Sequence, residues 1–172
     1  MDFEETARRF GEDAKRIHAD MTPHYGLTFL YCPQERIRTA RFAVVGLTHG
    51  GGARGDAFTY PEQWECRDGQ AYFQQNWGAS PDKPSPMQIQ VREWHHLDGV
   101  GEDDSLCAQL VPFRSRNWKE LANKGDVLEF SRALWTWVLS ECPARTYVAM
   151  GQVAGAMLAD LLQCSDEERT FR

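Results

Sequence analysis

A glycine-rich segment directly after an apolar run is the first place in this sequence where chemistry is expected. The apolar run, residues 41–47, leads into a stretch with five glycines between positions 46 and 55. Glycine has no side chain, so a ligand can approach the backbone closely there. A phosphate-binding P-loop is excluded because Gly52 stands where that motif has lysine. A dinucleotide site is not expected either, since Pro61 and its neighbours show no helical pattern. A loop that binds no ligand remains the alternative.

Acid–base side chains lie within this segment and just after it. His49 is of a residue type that titrates near neutral pH, so it is a candidate for acid–base chemistry. Asp56 can hold or accept a proton, and Glu62 is a weaker third candidate. The alternatives are that His49 is a solvated surface residue and that Asp56 caps a turn. The adjacent pair His95–His96 has no third ligand at metal spacing, so no metal site is predicted.

A basic cluster follows a second apolar run, residues 106–113. Cationic and hydroxyl side chains suit contacts with phosphate, and an indole can cover a sugar or a base. Together with one arginine of the glycine segment, the cluster gives six candidate nucleic-acid-binding residues: Arg54, Arg114, Ser115, Arg116, Trp118 and Lys119. Ion pairing with the many acidic residues at the surface is the alternative role for these arginines.

The elements that must position these residues alternate between strands and helices. Apolar runs predict four strands, at 27–32, 41–47, 106–113 and 145–151. Helices are predicted at 2–21, in the region 87–97, from Asp126 to Pro143, and after Gly151. In the third of these helices Asp126 is the expected N-cap, with Glu129 in capping-box position. An apolar stripe there includes Trp137, and only one of Trp135 and Trp137 can face the core. This alternation predicts an α/β protein, a three-layer α/β/α sandwich with a mostly parallel sheet.

The overall composition restricts the classes of protein further. The chain has 172 residues and a formal net charge of −6, which suits one domain and excludes a polycation but permits a local basic groove. No apolar run approaches the ~20 residues of a membrane span, and the N-terminus is too polar for a signal peptide. The five cysteines are scattered, which favours reduced thiols in a cytoplasmic protein. We expect a monomer without contact to a membrane.

Three segments resemble successive core segments of the uracil-DNA glycosylase superfamily: FAVVGLTHGGG, CAQLVPFRS and RTYVAMGQVAGAMLADLL. The resemblance extends over roughly residues 40–165, and its second and third segments are the more specific. It implies a single domain over residues 1–172 with a four-stranded sheet between helices. It also implies a metal-free and cofactor-free hydrolase that acts on a base flipped out of DNA or presented by a single strand.

The resemblance also assigns roles to particular residues. Gly46, Leu47 and Gly50, with the adjacent Gly51, correspond to the loop that approaches the substrate. Thr48 and His49 are departures, because the family has Asn or Asp and then Pro at these positions. A threonine hydroxyl can orient a water molecule but cannot take its proton at neutral pH. His49 then becomes the candidate to stabilise the departing base.

Two further positions follow from the same resemblance. Phe58 or Tyr60 corresponds to the aromatic residue that stacks on the flipped base. Gln109 falls where the family has the asparagine that reads the base edge, and it has the same amide donor and acceptor on a longer side chain. The final histidine-bearing segment of the family has no counterpart after Gly151. We therefore expect either a truncated chain or a fold without its last strand and loop.

Three functions are compatible with these observations. The first is a DNA glycosylase for a damaged or modified base, such as those in some phage DNAs, rather than for plain uracil. The second is a nucleic-acid- or nucleotide-binding module on the same fold that has no catalytic activity. The third, a magnesium-dependent nucleoside-phosphate enzyme on another α/β fold, depends on the glycine segment alone.

Overall fold

A computed structural model describes residues 2–21, 26–48, 63–77, 82–115 and 117–163 of the chain. Along these residues the α-helices and β-strands follow one another in the order α1, α2, β1, α3, α4, β2, α5, β3, α6. Their bounds are Phe3–Ala19, Arg36–Thr39, Phe42–Thr48, Ala71–Gln74, Pro86–Leu97, Ser105–Val111, Lys124–Glu141, Thr146–Met150 and Gln152–Leu162. None of the helices in this part of the chain combines the length and the apolar composition that a membrane crossing requires.

The three strands form one parallel sheet with β1 in the centre, in the order β2-β1-β3. The predictions of strands at 41–47, 106–113 and 145–151 are confirmed to within two residues at each end. These strands could be predicted because a strand of a parallel sheet that is covered on both faces has a continuous apolar sequence. The protein is thus a mixed α/β protein, and the carboxyl ends of its strands meet at one edge of the sheet.

The predicted strand at 27–32 is present only as isolated bridges. Its backbone hydrogen-bonds antiparallel to the outer edge of β2, from Thr28 N to Pro112 O (2.9 Å) and from Gln109 N to Phe29 O (2.9 Å). The amide of Leu30 instead donates to Trp64 O, also at 2.9 Å. Because this segment divides its hydrogen bonds between two neighbours, no continuous ladder forms with β2.

Two clusters of buried side chains lie against the sheet, and they use alternate residues of β1. Ala43 and Val45 belong to the larger cluster, which also contains residues of α1, α5 and α6. Phe42 and Val44 belong to the smaller cluster, with residues of α3 and α4. Alternate residues of a strand point to opposite faces. Both faces of the central strand are therefore covered.

The start of α5 differs from the prediction. The helix begins at Lys124, two residues before Asp126, and Asn123 precedes it with a positive φ of 46°. Asp126 is thus in the first turn, where a carboxylate complements the helix dipole, and the predicted N-cap was wrong. The helix ends at Glu141, two residues before Pro143, as expected from a residue that cannot continue a helix.

The two tryptophans of α5 also have distinct positions. Trp135 is fully buried, and its indole donates to the backbone oxygen of Gln109 at 3.0 Å. Trp137, which the predicted inner stripe included, is half-buried and stacks on Phe10 of α1 with ring centroids 5.3 Å apart. Trp135 therefore hydrogen-bonds to β2 of the sheet, whereas Trp137 packs against the N-terminal helix α1.

The cysteines in the described residues have free thiols, as the scattered spacing predicted. Burial raises the pKa of Cys32 to about 12 and also raises the pKa values of Cys66 and Cys107. A thiol in this state is neutral and unreactive at neutral pH. These three side chains act as packing groups in the core.

Candidate functional site

Gly46 and Gln109 are direct neighbours across the β1–β2 ladder, near the carboxyl ends of the two strands. The sequence-based assignment placed both in one site, and the structure brings them together. A methyl group at Gly46 would lie 2.4 Å from the Oε1 atom of Gln109 and 2.9 Å from its Nε2 atom. The carboxamide therefore occupies the space that any other residue at position 46 would fill. The negative φ region of this strand is open to every residue, so the glycine is needed for space alone.

The carboxamide of Gln109 is buried, with 4% of the residue exposed, and it is only partly satisfied. Its Nε2 atom donates to the Tyr31 hydroxyl at 3.1 Å. Its Oε1 atom is shielded from solvent and has no hydrogen-bond partner within the described residues. A buried acceptor without a partner costs about 1–3 kcal/mol. Such an atom at a ligand-binding edge of an α/β sheet is a candidate contact for a ligand.

Thr48 ends β1 and uses its hydroxyl within the protein. Its Oγ1 atom donates to the backbone oxygen of Phe113 at 2.6 Å, which ties the end of β1 to the segment after β2. The hydroxyl can still accept a hydrogen bond from water, but it supplies no base. Leu47, beside it, is half-buried and packs against the larger core cluster. The Thr48 hydroxyl therefore keeps only its capacity to accept a hydrogen bond, and its predicted role with water stays a prediction.

An aromatic cluster of Tyr31, Tyr72 and Trp77, which no sequence pattern predicted, lies next to Gln109. The three ring centroids are 5.1–5.4 Å apart, and Tyr31 is the member that contacts Gln109. Trp77 is half-buried, whereas Tyr72 is fully buried and its hydroxyl faces the Met87 sulfur at 3.9 Å. Burial raises the pKa of Tyr72 well above its usual value, so this phenol stays neutral.

Helix α4 holds the aromatic cluster in place through two polar side chains. Gln88 accepts from Trp77 N at 2.8 Å and donates to Gln75 O at 2.7 Å. Arg92 donates to Tyr72 O at 2.8 Å. These bonds satisfy carbonyls at the end of the short helix α3. The Ser-Pro-x-Gln motif at the start of α4 was a signal for this, because Gln88 completes a capping box with Ser85.

Arg114 and Ser115 follow β2 at the same edge, and both are buried. Arg114 is 6% exposed, and its backbone amide donates to Gly26 O at 3.0 Å. Ser115 is 1% exposed and donates from its hydroxyl to Asn117 O at 2.8 Å. The Arg114 backbone and the Ser115 hydroxyl thus help to build this edge of the sheet, and the phosphate contacts expected of the two residues stay predictions.

Trp118 and Lys119 form a short helical turn further along. The Asn117 side chain accepts from the Lys119 and Glu120 amides and caps this turn. Lys124 lies over the Trp118 ring, 4.1 Å from its centroid, and donates to Trp118 O. One face of the indole is therefore already covered by a cation. Lys119 is exposed, and its contact with phosphate stays a prediction.

The remaining candidates lie outside the described residues. They are His49, Gly50, Gly51, Arg54, Asp56, Phe58, Tyr60, Glu62 and Arg116. Their roles stay predictions from the sequence.

The opposite, amino end of β2 holds a second polar arrangement. His95 is buried, with Nδ1 2.8 Å from Val91 O and Nε2 2.8 Å from the Ser105 hydroxyl. Burial lowers the pKa of His95, so the ring is neutral at neutral pH. His96 is exposed, so the two histidines do not share a site. The described residues contain no group of three His, Cys, Asp or Glu side chains that could hold a metal ion.

An open cleft of about 410 Å³ lies at this amino end, between the starts of β1 and β3. Arg41, Phe42, Asp98, Gly99, Val100 and Thr146 line it. Ligands of open α/β sheets bind at the carboxyl ends of the strands, so the cleft is at the wrong edge for the candidate site.

Comparison of the chain with protein-family models, with curated proteins and with solved structures gives no match.

Proposed function

We propose that this protein is a divergent relative of the uracil-DNA glycosylase superfamily that hydrolyses the N-glycosidic bond of a damaged or modified base in DNA. The observation that carries the proposal is the buried, half-satisfied carboxamide of Gln109 over Gly46, at the carboxyl ends of the strands. An amide in this position can read the edge of a flipped base, as in other enzymes that extract bases from DNA.

The reaction breaks the bond between C1′ of the sugar and the base nitrogen. Water adds its hydroxyl to C1′, and its remaining proton is transferred so that the base departs in neutral form. In the proposed site Gln109 holds the base edge and Gly46 makes room for that amide. Thr48 orients the water, and His49 or Asp56 handles the proton and the charge on the departing base. Phe58 or Tyr60 stacks on the base, and the chemistry requires no metal ion or cofactor.

The finer details of the fold belong to the same proposal. A three-layer α/β/α sandwich is supported by the two clusters that cover opposite sides of β1. The extended segment at 26–31, which is hydrogen-bonded to the edge of β2, is the candidate for a fourth strand. We further propose that the protein acts as a cytoplasmic monomer on flipped or single-stranded bases.

Release of a free base, detected by mass spectrometry, tests the function. The full chain is incubated in the presence of a chelator with DNAs that contain uracil, hypoxanthine, mismatched thymine, or hydroxymethylated or glucosylated cytosine. We expect release of one of these bases. Gln109→Leu should reduce that release by about tenfold or more, which corresponds to a lost hydrogen bond of ~1.4 kcal/mol. Gln90→Leu, on the exposed side of α4, is the matched control and should leave release unchanged.

A module that binds nucleic acid without cleaving it is the second candidate, and the geometry of Thr48 favours it. The hydroxyl proton of Thr48 is engaged by Phe113 O, and no carboxylate or histidine among the described residues hydrogen-bonds to this hydroxyl. Binding to single-stranded DNA without release of any base would support this candidate and contradict the glycosylase.

A further inference from the structure

A row of three residues crosses the sheet at the candidate site, and its middle member has no side chain. Gly46 of β1 pairs with Gln109 of β2 on one side and with Met150 of β3 on the other. The residues two positions earlier in the three strands all pack in the smaller core cluster: Val44, Cys107 and Val148. Because alternate residues of a strand share a face, the row lies on the face that α3 and α4 cover.

The Gln109 carboxamide is closed on one flank only. On the outer side of β2, Tyr31 accepts from its Nε2 atom at 3.1 Å and is itself only 5% exposed. On the other side the carboxamide extends over Gly46, since its atoms are the nearest neighbours of a methyl group placed there. Gly46 lies between Gln109 and Met150. This leaves the side of Met150 for a ligand that reaches the unpartnered Oε1 atom.

Met150 is more accessible than the residues that the other two strands place on this face. It is half-buried, whereas Val44 and Cys107 are fully buried. Its strand, β3, is an outer strand of the sheet in the described residues. A methyl group at the next residue, Gly151, would meet none of the atoms described within 4 Å. There is therefore open space at the carboxyl end of β3, next to Met150.

We infer that Met150 contacts the flipped base and determines which ring sizes fit, as a specificity-determining residue on the side opposite to Tyr31. This inference rests on the proposed function, because it assumes that Gln109 faces the base. A base that lies over Gly46 with its edge at Oε1 has its far side against Met150. A thioether side chain is flexible and polarisable, and it packs well against aromatic rings. The length of the side chain at position 150 then sets the room for the ring.

The first test follows the isotope-labelled methyl signals of the methionines by NMR. Either 9-methyladenine or 1-methylcytosine is added to the full chain, and the added methyl group of each base stands in for the glycosidic bond. We expect the Met150 signal, assigned from its loss in Met150→Leu, to shift with at least one base. Met157 is the internal control, because it is also half-buried but packs against the larger cluster on the opposite face. Its signal should not move.

The second test measures how ring size and affinity depend on position 150. Met150→Ala shortens the side chain, so the affinity for 9-methyladenine relative to 1-methylcytosine should rise by about tenfold, as for one methylene group in an apolar pocket. Met157→Ala, the same change on the opposite face, should keep the wild-type ratio. Loss of packing alone lowers both affinities together and leaves their ratio unchanged. If Met150→Ala does not fold, as judged by circular dichroism, the methyl signals of the wild type still decide the question.

A Met150 signal that responds to neither base, an unchanged ratio in Met150→Ala, or an equal change in Met157→Ala would overturn the inference. The release experiment distinguishes this from failure of the proposed function. Release of a base from DNA without a response of Met150 would leave the glycosylase standing and refute the role of Met150. A response of Met150 without release from any DNA would refute the glycosylase and leave the contact in a binding module.

Discussion

Ser105 and Gln109 lie on the same face of β2, one at its amino end and one near its carboxyl end. The Ser105 hydroxyl is within hydrogen-bond distance of three groups: His95 Nε2 at 2.8 Å, Gln70 Nε2 at 3.1 Å and Glu102 O at 3.1 Å. The Gln109 carboxamide has one bond, to Tyr31, and its oxygen has none within the described residues. Both residues are almost completely buried, so burial alone does not distinguish them.

This difference in hydrogen bonding indicates which end of β2 serves stability and which end serves binding. A satisfied buried polar group contributes to the free energy of folding, whereas an orphaned acceptor opposes it. The Ser105 hydroxyl has no valence left for a ligand, whereas the Gln109 oxygen has one. Gln70, which donates to Ser105, also has an unpartnered oxygen within the described residues, but it belongs to the amino end, where ligands of open α/β sheets do not bind. The amino end of β2 is thus a structural network, and the carboxyl end is where we expect a ligand. Substitutions at the two ends should therefore have different effects.

Gly46→Ala should give the largest effect, at the carboxyl end. The new methyl group would displace the Gln109 carboxamide, so we expect base release to be lost and the free energy of unfolding to fall by about 1–3 kcal/mol. Chemical denaturation and the release assay measure the two effects. Gly155→Ala is the control, because its methyl group would be 3.8 Å from the Ala149 Cβ atom and should stabilise α6 by ~0.5–1 kcal/mol. Similar effects of the two substitutions would show that Gly46 is not needed for space.

Ser105→Ala should affect stability without affecting function. It leaves His95 Nε2 and Gln70 Nε2 without their partner, so we expect the free energy of unfolding to fall by about 1–3 kcal/mol. Base release by the folded variant should equal that of the wild type. Ser140→Ala, at an exposed position of α5, should cost less than about 0.5 kcal/mol in the same urea titrations. Loss of base release in folded Ser105→Ala would contradict the division between the two ends.

The pH dependence of stability should come partly from His95. Because its pKa is lower in the folded state, the unfolded chain binds more protons as the pH falls below about 6.5. The free energy of unfolding should therefore decrease on acidification through this range and level off below the folded pKa. Urea titrations at several pH values would show a shallower decrease in His95→Gln. The exposed neighbour gives the control, since His96→Gln should keep the wild-type slope, and equal slopes in all three proteins would exclude His95 as the cause.

Lys119→Ala should give the smallest effect, again at the carboxyl side. This exposed lysine is proposed to contact a phosphate. We expect weaker DNA binding for every sequence, and a slope of log affinity against log salt that is reduced by about 0.7–0.9. Fluorescence anisotropy at several salt concentrations measures this slope. Lys15→Ala, on the exposed side of α1, should leave it unchanged, and an equal change in both variants would show a nonspecific effect of net charge.

Sequence patterns predicted strands and helices well where a single local feature, such as an apolar run or a proline, was decisive. The runs that became β1, β2 and β3 are apolar throughout, and Pro143 accounts for the end of α5. The start of α5 was misplaced because Asp126 is a good N-cap residue by type, yet Asn123 precedes a helix that begins two residues earlier. Asn and Asp are both favoured N-cap residue types, so residue type alone does not decide between the two positions.

The candidate site was predicted in part. The resemblance placed Gly46 and Gln109 in one site, and their pairing in the β1–β2 ladder places them side by side. The cluster of Tyr31, Tyr72 and Trp77 was missed because Tyr31 lies about 40 residues before the other two, and no sequence spacing shows that the two segments meet. Their contact with one another depends on how α3 and α4 pack beside β1 and β2.

Local sequence patterns account for the three parallel strands and for the four longest helices, because periodicity and composition act over a few neighbouring residues. The resemblance also placed Gly46 and Gln109 in one candidate site, but their direct pairing in the β1–β2 ladder is a finding of the structure. The engaged end of that amide and the buried histidine of the pair His95–His96 are likewise seen only in the folded protein. These properties depend on hydrogen-bond partners from distant segments, and such partners are brought together only when the sheet and its helices pack.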